Sequence, residues 1–167
     1  MITPPRWVML WLLVSIAITG WDASFVLMRP HSLPGGDLAF LWPPYETYVV
    51  VDHGYGDLTN GWISGQAVMT LVEVLLGLTA LLLWRAGHAM AGPLALVSIA
   101  MTGAKTSLIF LAEWMSGLEN VGHNTTADLI SLYVLPNVVW VIVPIVACVA
   151  LMRSLSAAPN PSLSCAT

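Results

Sequence analysis

Charge is what this chain of 167 residues has least of: Asp, Glu, Lys and Arg make up 8% of it, against roughly 25% in an average soluble domain. Too few polar side chains remain to coat a water-facing globule, and with 57% hydrophobic residues and a mean hydropathy of +0.82 a soluble enzyme or carrier is excluded. Basic residues are scarcer than acidic ones, 5 against 9, for a net charge of -4 and a pI of about 5.3. No surface exists that could neutralise phosphates, so nucleic acid is not a partner. Cysteine is nearly absent, and Cys148 in an apolar run and Cys165 in the C-terminal tail are not placed to form a disulfide framework. His31, Asp52, His53 and Asp57 are metal-ligand types without the spacing of a zinc or calcium motif, so no metal is expected. There is no Gly-x-Ser-x-Gly or Cys/His arrangement for nucleophilic catalysis, no inverted repeat of a transporter, and no cofactor is implied.

What the chain does have is long apolar runs. A bilayer core takes about 20 such residues per helix, and four runs qualify: residues 7–28, 63–84, 91–116 and 129–152. The fold class expected is all-α integral membrane, a four-transmembrane-helix bundle forming one domain over residues 1–153, with a disordered Ser-, Ala- and Pro-rich tail at 154–167. The first run has the length of a signal-peptide core, but Trp21-Asp22 is a poor cleavage context and the run resumes from Ala23 to Met28. Arg6, Arg85 with His88, and Arg153 flank one side of the spans, which by the positive-inside rule makes both termini cytoplasmic. A multi-pass protein of this kind resides in the endoplasmic reticulum if eukaryotic and in the plasma membrane if bacterial.

The connection from Pro30 to Trp62 is too long for a simple loop in a compact bundle. Its Phe40, Trp42, Tyr45, Tyr48, Tyr55 and Trp62 suit the membrane interface, where ring and polar tip are both satisfied. This aromatic-rich loop between helices 1 and 2 is read as a lid on the bilayer surface. The short outer loop carries Asn124-Thr125-Thr126, a three-residue glycosylation pattern of low specificity.

Ionisable side chains inside spans cost about 2.5–3.5 kcal/mol each to insert, which makes Asp22, Glu73, Lys105 and Glu113 candidates for function. Gln66, Thr70, Glu73, Gly77 and Ala80 recur at helical spacing and share one face of span 2. Ser98, Thr102, Lys105, Ile109 and Glu113 do the same in span 3, and Tyr133, Asn137, Trp140 and Pro144 in span 4. Depth places Asp22, Gln66, Glu73, Glu113 and Asn137 between mid-bilayer and the outer surface, where they can converge on one cavity. Lys105 lies level with Glu73, and pairing would lower the cost of burying both. Pro136 and Pro144 interrupt span 4 and free the carbonyls of Leu132 and Trp140. Each of these polar groups could instead glue helices together, and Gly77 and Ala80 are most simply helix contacts.

The order Asp22, Glu73, Phe110-Leu-Ala-Glu113 and Tyr133-Val-Leu-Pro-Asn137-Val-Val-Trp140-Val-Ile-Val-Pro144 resembles the EXPERA family over all four spans. That family includes the emopamil-binding protein, a sterol Δ8–Δ7 isomerase, and the sigma-2 receptor. The resemblance implies that Asp22 and Glu73 are the catalytic pair, that Asn137 and Trp140 line the cavity, and that the protein forms a homodimer. Two departures stand out: Ile18 occupies the position of the isomerase histidine that takes part in proton transfer, and Lys105 has no counterpart in the pattern. Asp at position 22 is like the sigma-2 receptor branch.

A buried carboxylic acid can protonate a double bond and a second carboxylate can remove a proton elsewhere, while aromatic faces shield the cation between. The expected activity is a membrane-embedded isomerase acting on a sterol- or isoprenoid-like lipid taken from the bilayer, with Asp22 and Glu73 catalytic and Trp21, Gln66, Lys105, Glu113, Tyr133, Asn137 and Trp140 contacting the ligand. Two alternatives remain open. One is a non-catalytic binder of sterols or lipophilic amines like the sigma-2 receptor; the other is a terpene cyclase of a biosynthetic pathway.

Overall fold

The computed structural model describes residues 4–157, and every element among them is helical. Helix α1 is Arg6–Leu27. The following connection is folded rather than extended: a 3₁₀ turn, Ala39–Leu41, precedes α2, Tyr45–Val51, and α3, His53–Gly56. Then come α4, Gly61–Arg85, and α5, Ala91–Met115. A short α6, Thr126–Asp128, runs through a π-helical stretch, Leu129–Val134, into α7, Leu135–Ser156. Four helices, Arg6–Leu27, Gly61–Arg85, Ala91–Met115 and Thr126–Ser156, are long and apolar enough to cross a membrane. Residues 154–156, expected in a disordered tail, belong to α7; the rest of that expectation, residues 158–167 with Cys165 among them, lies outside the described part.

Local sequence sets the ends. Asn60 caps α4, its side chain accepting from the Ile63 amide at 3.1 Å, as an N-cap residue does. Gly87 and Gly117 take φ of 68° and 74° after α4 and α5, and the amides of His88 and Leu118 reach back to Leu83 and Glu113 carbonyls at 2.9 and 2.7 Å. Only a residue tolerant of left-handed backbone closes a helix this way.

In chain order α1 packs on α4, α4 on α5 and α5 on α7, with thin α1–α7 contacts closing the ring. Lipid supplies no hydrophobic drive between helices, so close approach of small residues has to hold them. Gly77 lies where an added Cβ would stand 2.9 Å from Ile16 and 3.0 Å from Ser98, and Gly103 where it would stand 3.1 Å from Pro144. The core at the Arg6 end of α1 joins Val8, Met9, Leu12, Ala80, Ala95, Ile99, Ala147 and Leu151. Outward positions are large and apolar, among them Leu75, Leu82, Leu111, Ile142 and Ile145, as a lipid-facing surface requires.

Pro136 removes the amide that would bond Leu132. The chain absorbs this by widening: the Leu135 amide donates to Ile130, five residues back, and Asn137 Nδ2 donates to the Tyr133 carbonyl at 2.8 Å. A π turn of this kind puts Asn137 on the inner wall. Pro144 is carried inside α7.

Candidate functional site

At the end of the bundle away from that core, the four long helices line a half-open cavity of about 280 Å³ beside α2 and α3. This is just below the usual range of small-molecule sites, about 300–1,000 Å³. Of the residues read from sequence, Asp22, Glu73, Trp21, Gln66, Lys105, Asn137 and Trp140 line it.

Glu73 is 2% exposed on α4 and would be costly there alone. Lys105 on α5 brings its ammonium to 2.9 Å from Oε2, and the Thr102 hydroxyl donates to Oε1 at 2.5 Å. The Lys105 ammonium also donates to Thr70 Oγ1, and Ser98 Oγ to the Glu73 carbonyl at 3.0 Å. Thr70 and Glu73 on one face of α4, and Ser98, Thr102 and Lys105 on one face of α5, thus form a polar seam.

Asp22, late in α1, is held from the connecting segment. The Tyr45 hydroxyl donates to its Oδ1, and the Tyr55 hydroxyl lies 3.3 and 3.4 Å from its two oxygens. Burial first, then the Asp22 charge, raises both tyrosines well above the ordinary phenol range, so each remains a donor at physiological pH. Phe25 stacks on Tyr45 with centroids 4.0 Å apart.

Four of the six aromatics assigned to the bilayer interface therefore turn inward. Trp42 and Tyr45 are 4% and 8% exposed, while Phe40 and Trp62 are 71% and 45% exposed; Tyr45, Tyr48 and Tyr55 line the cavity. The reason is that their polar tips find partners inside: Trp42 Nε1 donates to the Trp21 carbonyl at 3.1 Å, and Tyr48 accepts from Asn137 Nδ2 at 3.3 Å.

Glu113 and Tyr133, expected among the ligand contacts, are elsewhere. Glu113 accepts from the Asn120 amide at 3.2 Å and its side chain at 2.6 Å, which shapes the 116–125 loop. Tyr133 packs in a separate cluster with Val51 and Val121 and edge-on to Phe110 at 5.6 Å. His31 pairs with Asp37 at 2.8 Å and Asp57 accepts from Thr59, so those side chains do not gather with Asp52. The Asn124 amide of the glycosylation pattern is engaged by the Val51 and Val121 carbonyls at 2.8 and 2.7 Å.

Arg29 was not singled out from sequence. Its guanidinium donates to the carbonyls of Val26, Tyr55 and Asp57 at 3.0, 2.9 and 2.9 Å and to Ser64 Oγ at 3.0 Å. It ties α3 to the ends of α1 and α4, which fixes Tyr55 over Asp22. The available signal was an arginine on a side otherwise poor in basic residues. Asp52, the residue between α2 and α3, is 3% exposed and accepts from the Gly54 amide at 3.0 Å. Burial first, and the Glu113 carboxylate second, push it up to about 6.

No family model, no curated protein and no solved structure matches this chain.

Proposed function

We propose that the protein is a four-span membrane isomerase of the EXPERA kind, with both termini cytoplasmic, that moves a double bond in, or cyclises, a sterol- or isoprenoid-like lipid. The single observation that carries the reading is the meeting of two carboxylates from different helices, Asp22 and Glu73, in one cavity walled by Trp21, Trp140 and Ile109. Asp22 supplies a proton to the alkene and Glu73 removes one elsewhere on the molecule. The aromatic faces shelter the cation that exists between the two steps. The folded connection over residues 28–60 acts as a lid, and the bilayer is the source of the substrate. A homodimer follows from the family resemblance.

A non-catalytic receptor reading rests on one observation: Ile18, where the isomerase pattern has histidine, is part of the cavity wall and can transfer no proton. Turnover separates the two. Purified protein is incubated in D₂O with a panel of Δ8-sterols and linear or cyclic isoprenoids, and products are read by mass spectrometry with Glu73→Gln as control. Deuterium on carbon with the wild type alone supports the isomerase; tight binding without label across the panel supports the receptor.

A further inference from the structure

Lys105, the sole lysine of the chain, supplies something the two-carboxylate reading does not use. An ammonium has three N–H donors. Among the described residues its ammonium donates to Thr70 Oγ1 and stands 2.9 Å from Glu73 Oε2 in an ion pair, while the residue lines the cavity. One charged donor thus remains for whatever enters. Gln66, one turn from Thr70 and on the same wall, has its Oε1 buried without a hydrogen-bond partner among the described residues. That oxygen is an acceptor and offers nothing to a carbonyl, so the Lys105 N–H is the group on this wall that complements a molecule with one oxygenated end.

We infer that Lys105 binds the carbonyl oxygen of an unsaturated isoprenoid ketone or aldehyde, and that this site selects oxygenated ligands over lipophilic amines. An amine entering here would meet a resident ammonium that already neutralises Glu73, whereas a carbonyl oxygen accepts the remaining N–H. The inference rests on the isomerase reading for its chemistry and gives the substrate a class. Glu73 takes a proton from the carbon adjacent to the carbonyl–alkene system. The electron pair of that C–H bond moves through the chain and the C=O π bond opens onto oxygen, giving a dienolate whose charge faces Lys105. Re-forming the C=O bond while Asp22 protonates the carbon next to the carbonyl moves the double bond from the α,β to the β,γ position. Glu73 is then protonated and Asp22 ionised, and proton exchange with water resets the pair. No oxidant or reductant takes part.

The test uses one C15 isoprenoid skeleton as an α,β-unsaturated ketone, as the amine and as the hydrocarbon, with the full chain in nanodiscs. The ketone is expected to bind about tenfold or more tighter than the hydrocarbon, the scale of a hydrogen bond to a charged donor, and the amine no tighter than the hydrocarbon. Lys105→Arg, which keeps the ion pair, retains the preference. Lys105→Met combined with Glu73→Gln, which leaves no unpaired charge, loses it. An amine that outcompetes the ketone, or a ketone preference that survives in the double variant, overturns the carbonyl site. Deuterium exchange separates this from the broader reading: label in a hydrocarbon alkene without ketone preference leaves the isomerase and removes the carbonyl site. Ketone preference without label in any substrate leaves the carbonyl site and removes the isomerase.

Discussion

The two ends of the bundle are built from the same four helices and solve opposite problems. At the Arg6 end of α1, Ala80, Ala95 and Ala147 are all 0% exposed, and small side chains let the helices close onto Leu12, Ile99 and Leu151. At the other end α4 carries Gln66, Thr70 and Glu73 and α5 carries Thr102 and Lys105, and the space between them stays open at about 280 Å³. The closed end is held by contact of small surfaces, the open end by a network of hydrogen bonds. Helix separation along one bundle is thus set by residue size and polarity at each turn, and close packing and open space become separable properties of one helix.

The sharpest break in that comparison is Lys105→Met. Its side chain and that of Glu73 are 17% and 3% exposed, so removing the ammonium leaves a buried carboxylate without its counter-charge. Losing one partner of such a pair costs about 3–5 kcal/mol, to be seen as reduced unfolding stability in detergent. Lys105→Met with Glu73→Gln recovers most of the loss, because no net charge is left behind.

Asp52, between α2 and α3, is expected to make this end of the molecule pH-sensitive. Its folded value of about 6 against an ordinary 3.8 means that the fold prefers the protonated acid. The corresponding stability is fully present below 3.8 and is lost as pH rises through about 6, a difference of about 3 kcal/mol. Unfolding followed from pH 4 to 7.5 is expected to show wild type losing stability relative to Asp52→Asn across that window. Parallel curves would remove Asp52 as the source.

One substitution made twice along α4 sharpens the contrast further. Ala80→Leu overfills a packed layer and is expected to cost about 1–3 kcal/mol. Ala67 is 4% exposed but borders the cavity, so Ala67→Leu grows into open space. It is expected to leave unfolding nearly unchanged and, on the proposed lipid-binding reading, to weaken binding of the C15 ketone about tenfold or more. Equal destabilisation at both positions would mean that the two ends pack alike.

Much of this architecture was legible because lipid imposes long apolar runs, and a carboxylate inside one is conspicuous. The face of α4 that carries Thr70, Glu73, Gly77 and Ala80 followed from spacing alone, since helical period fixes which residues share a side. The path of the 28–60 connection was not legible in the same way. Tyr45 and Trp42 could satisfy ring and polar tip at a membrane surface as well as inside, and only the backbone path through the 3₁₀ turn and α2 brings them to Asp22 and Trp21. Glu113 and Tyr133 lie at the right helical positions, yet the 116–125 loop folds back and claims them, a long-range event that periodicity does not encode. Arg29 escaped notice because its partners are mostly backbone carbonyls, which leave no mark in a sequence.

The smallest effect concerns how the 28–60 connection is coupled to the bundle. Tyr55 reaches Asp22 at 3.3 and 3.4 Å, long for hydroxyl-to-carboxylate bonds, while Tyr45 also donates to the same carboxylate. Tyr55→Phe is therefore expected to cost less than about 1 kcal/mol, since Asp22 keeps its other donor. Tyr45→Phe costs more, and the double variant more than the sum, because only then does Asp22 face the cavity with neither tyrosine donor. A double-mutant cycle read by unfolding in detergent gives the coupling directly. Strict additivity would mean that the two hydroxyls act on Asp22 independently; a coupling of about 0.5 kcal/mol or more makes Asp22 the point that joins the 28–60 connection to the end of α1.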